Sequence, residues 1–140
     1  MILLDTNVVS EPIRRHPDRR VLDWLDAQAI ETLYFSTISL AELLLGVENL
    51  PVGRRRSALA DALERQITDL LGDRIVAFDI AAAEAYAKVV ARARGHGHAI
   101  SVADGQIAGV AAANKLRVAS RDELPFHAAG LVVINPWTAE

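Results

Sequence analysis

The chain has 140 residues, and 51% of them are hydrophobic, which is enough to bury the core of one compact domain. Its net charge of -3 excludes the strongly basic surface of many nucleic-acid-binding proteins, so any contact with nucleic acid must depend on local basic groups. The absence of Cys excludes disulfides and thiolate zinc sites, and leaves oxygen and imidazole ligands for any metal.

The apolar pattern predicts neither a membrane span nor export. The longest apolar runs, such as residues 38–47, contain polar residues and fall short of the roughly 20 residues that a membrane span requires. The first residues lack the basic start and the long apolar stretch of a secretory signal. We therefore expect a cytoplasmic protein with no membrane segment.

Short apolar runs alternate with longer segments of helical periodicity, and this alternation predicts an α/β domain. The predicted strands are residues 2–4, 32–36, 75–78, 117–119 and 131–134. The predicted helices are residues 19–29, 40–50, 54–71, 81–94 and 102–114. Connections of this length favour a largely parallel sheet with helices on both faces, and ligands bind such sheets outside the carboxyl ends of the strands.

Two acidic residues follow predicted strands. Asp5 comes directly after the first strand, and the polar groups of Thr6 and Asn7 beside it could orient its carboxylate. Asp122 follows the fourth strand, with Ser120 between them. Both positions also have ordinary structural explanations, because Asp is common at helix N-caps and in solvated turns.

Two further acidic residues lie near predicted helix starts. Glu42 lies off the main apolar stripe of its helix, on a small and polar face with Ser39 and Gly46 that could line a cleft. Asp104 lies near the start of an Ala-rich helix that can pack closely against a sheet. The spacings Ser39-x-x-Glu42 and Ser101-x-x-Asp104 also fit a capping box, which satisfies free backbone amides at a helix start.

Convergence of these acids at one sheet edge would require a cation. Two carboxylates about 5 Å apart repel each other by roughly 3 kcal/mol at an effective dielectric constant of about 20. A divalent ion removes that repulsion, and oxygen ligands favour Mg²⁺ or Mn²⁺, which suit phosphodiester hydrolysis. His96 and His98 are not expected to bind metal, because the Gly residues between and before them give no fixed geometry.

Four segments taken together resemble the PIN domain, and specifically the VapC-type toxins of toxin-antitoxin pairs. They are Met1-Ile2-Leu3-Leu4-Asp5-Thr6-Asn7, Ile38-Ser39-Leu40-Ala41-Glu42-Leu43, Ala103-Asp104-Gly105-Gln106-Ile107-Ala108 and Ala119-Ser120-Arg121-Asp122. The segments Ser10-Glu11-Pro12 and Ile134-Asn135-Pro136-Trp137 are similar to the FitB branch of that family.

The resemblance implies a PIN-like three-layer sandwich spanning residues 1–140 as one domain, with a five-stranded parallel sheet of strand order 3-2-1-4-5. It implies a ribonuclease site that holds Mg²⁺ or Mn²⁺ through the residues Asp5, Glu42, Asp104 and Asp122. It also implies supporting roles for Thr6, Asn7 and Ser120.

The implied partners follow from the same resemblance. They are RNA as substrate, a second copy of the chain in a homodimer, and a small antitoxin that blocks the active site and brings a larger complex to promoter DNA. Trp24, on an amphipathic helix, could face such a partner, although an ordinary core position explains it as well. Gly105 departs from the Ala that is common in the family and is expected to loosen the helix start below Asp104.

Two other functions compete with a ribonuclease. One is a PIN-fold regulatory subunit with weak or no nuclease activity, which binds promoter DNA together with its antitoxin. The other is a phosphatase that uses Asp5 as nucleophile. Asn7 argues against the phosphatase, because an amide cannot deliver the proton that such enzymes take from a second Asp at this position.

Overall fold

Five parallel strands form the centre of the protein, in a computed structural model that describes residues 1–139. The strands are β1 (Ile2–Leu4), β2 (Leu33–Ser36), β3 (Ile75–Val76), β4 (Arg117–Ala119) and β5 (Val133–Ile134). They lie in the order β3-β2-β1-β4-β5, and neighbouring strands are parallel. The predicted fold class and strand order are therefore confirmed. Glu140, the last residue of the predicted domain, lies outside the described residues.

Helices connect the strands and cover the sheet. They are α1 (Thr6–Ser10), α2 (Arg19–Asp26), α3 (Thr37–Glu48), α4 (Arg54–Leu70), α5 (Ile80–Gly95), α6 (Val102–Ala113) and α7 (Leu124–Ala128), with short 3₁₀ helices at Glu11–Ile13 and Ile30–Thr32. Sequence periodicity predicts five of them and misses α1 and α7, which are too short to show a helical repeat. Among residues 1–139, no helix is both long enough and apolar enough to cross a membrane.

The central strand β1 is buried on both faces. Leu3 belongs to a core cluster with residues of α5 and α6, whereas Ile2 and Leu4 belong to a second cluster with residues of α1 and α2. This division follows from the two-residue period of a strand. Trp24 packs against the second cluster, so the structure favours its core position over a role at a partner surface.

Helix α3 begins three residues before its predicted start at position 40. The side chain of Ser36, at the end of β2, accepts a hydrogen bond from the backbone N–H of Ser39 at 3.0 Å and caps the helix. The predicted Ser39-x-x-Glu42 capping box is therefore wrong. Glu42 lies in the second turn, where the backbone amides are already bonded within the helix.

Glycines in α6 allow close packing against α5. A Cβ atom on Gly109 would lie 2.7 Å from the carbonyl oxygen of Ala82 and 2.9 Å from Cβ of Tyr86. A Cβ atom on Gly105 would lie 2.8 Å from Cγ2 of Val90. Instead of a loosened helix start, Gly105 gives α6 a tight contact directly after Asp104.

This packing predicts that Gly109→Ala destabilises the protein, because the added methyl group meets backbone atoms that cannot move independently. We expect a loss of about 1–3 kcal/mol in the free energy of unfolding, measured by urea denaturation. Gly46→Ala in α3 is the matched control, since a Cβ atom there meets nothing within 4 Å. The control should be neutral or stabilising by about 0.5–1 kcal/mol, and equal losses in both variants would contradict the packing argument.

Candidate active site

Asp5 lies at the carboxyl end of β1 and is nearly buried, with 6% of its surface exposed. Its backbone N–H donates to the carbonyl of Ala119 at 2.9 Å, which continues the pairing of β1 with β4. The Oδ1 atom accepts from the N–H of Thr6 at 2.8 Å and thereby caps α1. The Oδ2 atom accepts from the hydroxyl of Ser120 at 2.7 Å. Both carboxylate oxygens of Asp5 are thus held in place.

The environment of Asp5 disfavours its charge. Burial raises its pKa from 3.8 to about 6, against the hydrogen bonds from Ser120 and Thr6, which lower it. The like charges of Asp104 and Glu42 raise the pKa further. The acids on α3 and α6 are therefore close enough to Asp5 to interact with it electrostatically.

Glu42 is exposed on α3, and its Oε1 atom accepts from the hydroxyl of Thr6 at 3.0 Å. Thr6 therefore contacts two of the predicted site acids, since its backbone N–H binds Asp5. The sequence predicted that Thr6 orients Asp5 and supports the site, but not that it contacts Glu42. The contact with Glu42, 36 positions away, exists only after folding.

Asp104 lies in the first turn of α6, where its backbone N–H donates to the side chain of Ser101 at 3.1 Å. Ser101 is therefore the N-cap of α6, as its part in the predicted capping box requires. Asp104 is half-buried, and this burial raises the pKa of its carboxyl group, as does the like charge of Asp122. The charge of Asp104 in turn raises the pKa of Asp5.

Asp122 is exposed and follows β4 through a turn. Its backbone N–H donates to the Ser120 hydroxyl oxygen at 3.1 Å, so Ser120 links the Asp122 turn to Asp5.

Asn7 was expected to support Asp5, but no hydrogen bond from its side chain to Asp5 is present among residues 1–139. The Oδ1 atom of Asn7 is buried and has no hydrogen-bond partner among the described residues.

The chemistry of this donor set fits a hard divalent cation, because every predicted ligand is a carboxylate. In residues 1–139, no three acidic or imidazole side chains lie close enough together to enclose an ion by themselves. Mg²⁺ suits such an arrangement, since it is usually bound by one or two carboxylates and completes its shell with water and phosphate oxygens. His96 is the C-cap of α5 and His98 lies in the loop that follows, which confirms the predicted helix-ending loop.

An open groove of about 990 Å³ begins beside Glu42 and runs between α3, α4 and the segment after α1. Its apolar lining comes mainly from α3 and α4 and includes Leu43, Val47, Leu59 and Leu63. Basic residues also line it, namely Arg14, Arg15 and Arg55. The groove thus joins an acidic end to an apolar and basic channel.

Sequence reasoning missed Glu11, which borders this groove segment. Its carboxylate is 3% exposed and accepts from the N–H of Asp18 at 2.9 Å and from the guanidinium of Arg14 at 3.0 Å. These bonds fix the segment between α1 and α2. The only sign of this role in the sequence was the place of Glu11 in the segment Ser10-Glu11-Pro12, which is similar to the FitB branch.

The chain is similar in sequence and in fold to known proteins of the PIN-domain family. The family model for the PIN domain matches residues 2–130. VapC ribonuclease Y4jK of Sinorhizobium fredii is 49% identical over 137 residues, which cover 98% of each chain. Toxin FitB of Neisseria gonorrhoeae is 47% identical over 137 residues, covering 98% of this chain and 99% of that one. A solved structure of FitAB bound to an IR36 DNA fragment has 44% identity and a TM-score of 0.93, and the match covers 100% of this chain and 98% of that one.

The raised pKa of Asp5 predicts a specific pH dependence of stability. Between pH 3.8 and about 6, the folded protein binds the Asp5 proton more tightly than the unfolded chain does. The negative charge of Asp5 therefore lowers the free energy of unfolding by its full amount above about pH 6. This loss of stability shrinks to zero as the pH falls toward 3.8. In metal-free buffer, Asp5→Asn should stabilise the protein by up to about 3 kcal/mol at neutral pH and by almost nothing near the ordinary pKa.

The measurement is urea unfolding of both proteins across this pH range. Asp61→Asn is the control, because Asp61 is exposed on α4 and should leave the pH profile of the wild type unchanged. A difference between Asp5→Asn and wild type that stays constant with pH would show that Asp5 does not titrate as described.

Proposed function

The chain belongs to the PIN-domain family, and from that premise we propose that it is a metal-dependent endoribonuclease, the toxin of a toxin-antitoxin pair. The observation that carries the proposal is the Asp5 carboxylate, buried at the carboxyl end of the central strand among like charges. A fold that keeps such a costly carboxylate in a fixed orientation is typical of a site that binds a cation. The names of the relatives, a VapC ribonuclease and Toxin FitB, support RNA cleavage by a toxin.

The residues that would hold Mg²⁺ or Mn²⁺, directly or through water molecules of the ion's shell, are Asp5, Glu42, Asp104 and Asp122. When bound, a divalent cation stabilises negative charge on a phosphate and lowers the pKa of nearby water, which makes that water a nucleophile at neutral pH. The other residues serve orientation. Ser120 and the backbone of Thr6 each occupy one lone pair on Asp5, which leaves further lone pairs for a cation.

Thr6 also orients Glu42 through its hydroxyl group. Metal ligands that are held by such hydrogen bonds bind more tightly, because less side-chain freedom is lost when the ion arrives. The low dielectric constant around the buried Asp5 disfavours its isolated charge. The same low dielectric constant strengthens the attraction of that charge to a cation. The arrangement therefore suits hydrolysis by water in which the protein supplies ligands and orientation.

We infer a small antitoxin as the principal partner in the cytoplasm. The solved FitAB complex bound to DNA supports an assembly of this kind, and the net charge of -3 favours contact with promoter DNA through the antitoxin. The groove beside Glu42 suits an amphipathic segment that carries acidic residues, because its floor is apolar and its edge basic. Such a segment would block access to Glu42.

A homodimer is the second proposed assembly, with larger complexes formed through the antitoxin. The outer face of α3 leaves Leu44 and Leu45 51% and 60% exposed, and Val52 after the helix is 89% exposed. Exposed apolar side chains grouped in this way are typical of a protein interface.

Purified protein should cleave single-stranded RNA in the presence of Mg²⁺ or Mn²⁺ and should lose this activity in EDTA. Asp5→Asn should lower the rate at least about a hundredfold, because it removes the charge at the centre of the site. Asp61→Asn changes an exposed acid on α4 in the same way and should cleave at the rate of the wild type. Gel analysis of a labelled RNA measures all three.

Two results would contradict the proposal. If Asp5→Asn cleaves as fast as wild type, the site assignment is wrong. If wild type does not cleave RNA with either ion, while its antitoxin complex binds promoter DNA with or without Asp104→Asn, the regulatory-subunit function is correct. The FitAB-DNA complex is the observation that favours this second function.

Thr6→Val should weaken activation by the metal, because it removes the hydroxyl that holds Glu42 but keeps the shape of the side chain and the N–H that binds Asp5. We expect the Mg²⁺ concentration for half-maximal cleavage to rise about 10–100-fold. Thr6→Ser keeps the hydroxyl and should resemble wild type. An unchanged Mg²⁺ requirement in Thr6→Val would show that the Thr6–Glu42 bond has no role in metal binding.

A further inference from the structure

Arg121 lies between two residues of the proposed site on the turn that follows β4. Ser120 before it donates to Asp5, and the N–H of Asp122 after it binds the same Ser120 hydroxyl. The backbone on both sides of Arg121 is therefore fixed relative to the acidic edge of the sheet. Its own side chain is exposed.

The guanidinium group of Arg121 is held by an aromatic ring. Its Cζ atom lies 5.2 Å from the ring centroid of Trp137, and the Trp137 side chain is 4% exposed in the core cluster below α1 and α2. Trp137 is itself anchored. Its backbone N–H donates to Oδ1 of Asn135 at 3.0 Å, and the side-chain amide of Asn135 donates to Oε2 of Glu123 at 3.0 Å. The stack orders a charged side chain that would otherwise be mobile.

Two arginines that follow α1 in the chain are already used in ion pairs. Arg14 pairs with Glu11, and Arg20 pairs with Asp18 at 2.7 Å. Arg121 forms no ion pair with any acidic group of residues 1–139, although acids flank it in the sequence. Its charge reaches the start of α2, where it adds to the hydrogen bonds from Arg20 that lower the pKa of Asp18 to about 2.

We propose that Arg121 binds a phosphate of the RNA strand beside the cleavage site, and that Trp137 is its positioning residue. This inference rests on the proposed ribonuclease function. A guanidinium held over a ring by cation–π attraction does not use its N–H donors in that contact, so they can bind two phosphate oxygens at once. The stack also keeps Arg121 from pairing with the site acids, so the cation ligands stay free. Because the chain as a whole is negatively charged, a fixed local cation beside the acidic site favours the approach of RNA.

The first test measures cleavage kinetics of Arg121→Ala and of Arg117→Ala with a short single-stranded RNA. Arg117 is the matched control, because it is exposed and begins β4, at the end of that strand opposite the acidic edge. Arg121→Ala should raise KM about tenfold with a smaller effect on kcat, whereas Arg117→Ala should behave as wild type. Arg121→Lys keeps the charge but not the planar fork, and should give an intermediate KM.

The second test measures binding without cleavage, in the Asp5→Asn background, by fluorescence anisotropy of labelled RNA at several salt concentrations. Loss of one phosphate contact should reduce the slope of log affinity against log salt by about 0.7 in Arg121→Ala, an effect that a purely structural role would not produce. Trp137→Phe keeps an aromatic face and should retain most of the affinity and the wild-type slope.

The outcomes separate this inference from the proposed function. If wild type cleaves RNA while Arg121→Ala matches Arg117→Ala in KM and in salt slope, the phosphate contact is wrong and the ribonuclease function stands. If wild type does not cleave RNA and the binding slope is the same with and without Arg121, both fail. A reduced slope specific to Arg121→Ala supports the contact.

Discussion

The burial of the Asp5 carboxylate is the constraint on which the rest of the site depends. A charge with a pKa raised to about 6 costs the metal-free fold about 3 kcal/mol at neutral pH, which is a large part of the stability of a domain this size. This cost remains after the hydrogen bonds from the Ser120 hydroxyl and the Thr6 amide have lowered the pKa. No positively charged side chain of residues 1–139 is among the groups that lower this pKa, so the demand for a cation remains.

Strand register explains why those particular residues meet. Leu4 of β1 pairs with Ala119 of β4 in parallel, so the next residues, Asp5 and Ser120, leave the sheet side by side. The contact between them spans 115 positions in the chain and follows from pairing alone. The helices then place their acids around this point, α3 through its start at Ser36 and α6 through its tight packing on α5 at Gly105 and Gly109.

The sequence correctly predicted features that depend on local pattern, such as strand bounds, and features that follow from the family resemblance. Strands β1 and β4 have their predicted bounds, and the matches to the PIN domain, to VapC ribonuclease Y4jK and to Toxin FitB confirm the family and its FitB branch. The start of α3 was predicted too late, because Ser39 and Glu42 have the spacing of a cap that Ser36 supplies instead. The Thr6–Glu42 bond and the Arg121–Trp137 stack were beyond reach, since they join distant segments without any periodic signal.

The sequence presented helix capping and cation binding as competing explanations for Asp5, Glu42 and Asp104, and the geometry of Asp5 and Asp104 is compatible with both. Asp5 caps α1 with one lone pair of Oδ1, and a carboxylate has about four lone-pair sites in total. In α6 the cap is Ser101, which leaves the carboxylate of Asp104 free of that task. Capping in fact favours the site, because it fixes the backbone from which each carboxylate projects. An acid at a helix start is therefore weak evidence against catalysis, and the deciding observation is whether other acids lie close enough to raise the pKa of a buried one, as Glu42 and Asp104 do for Asp5.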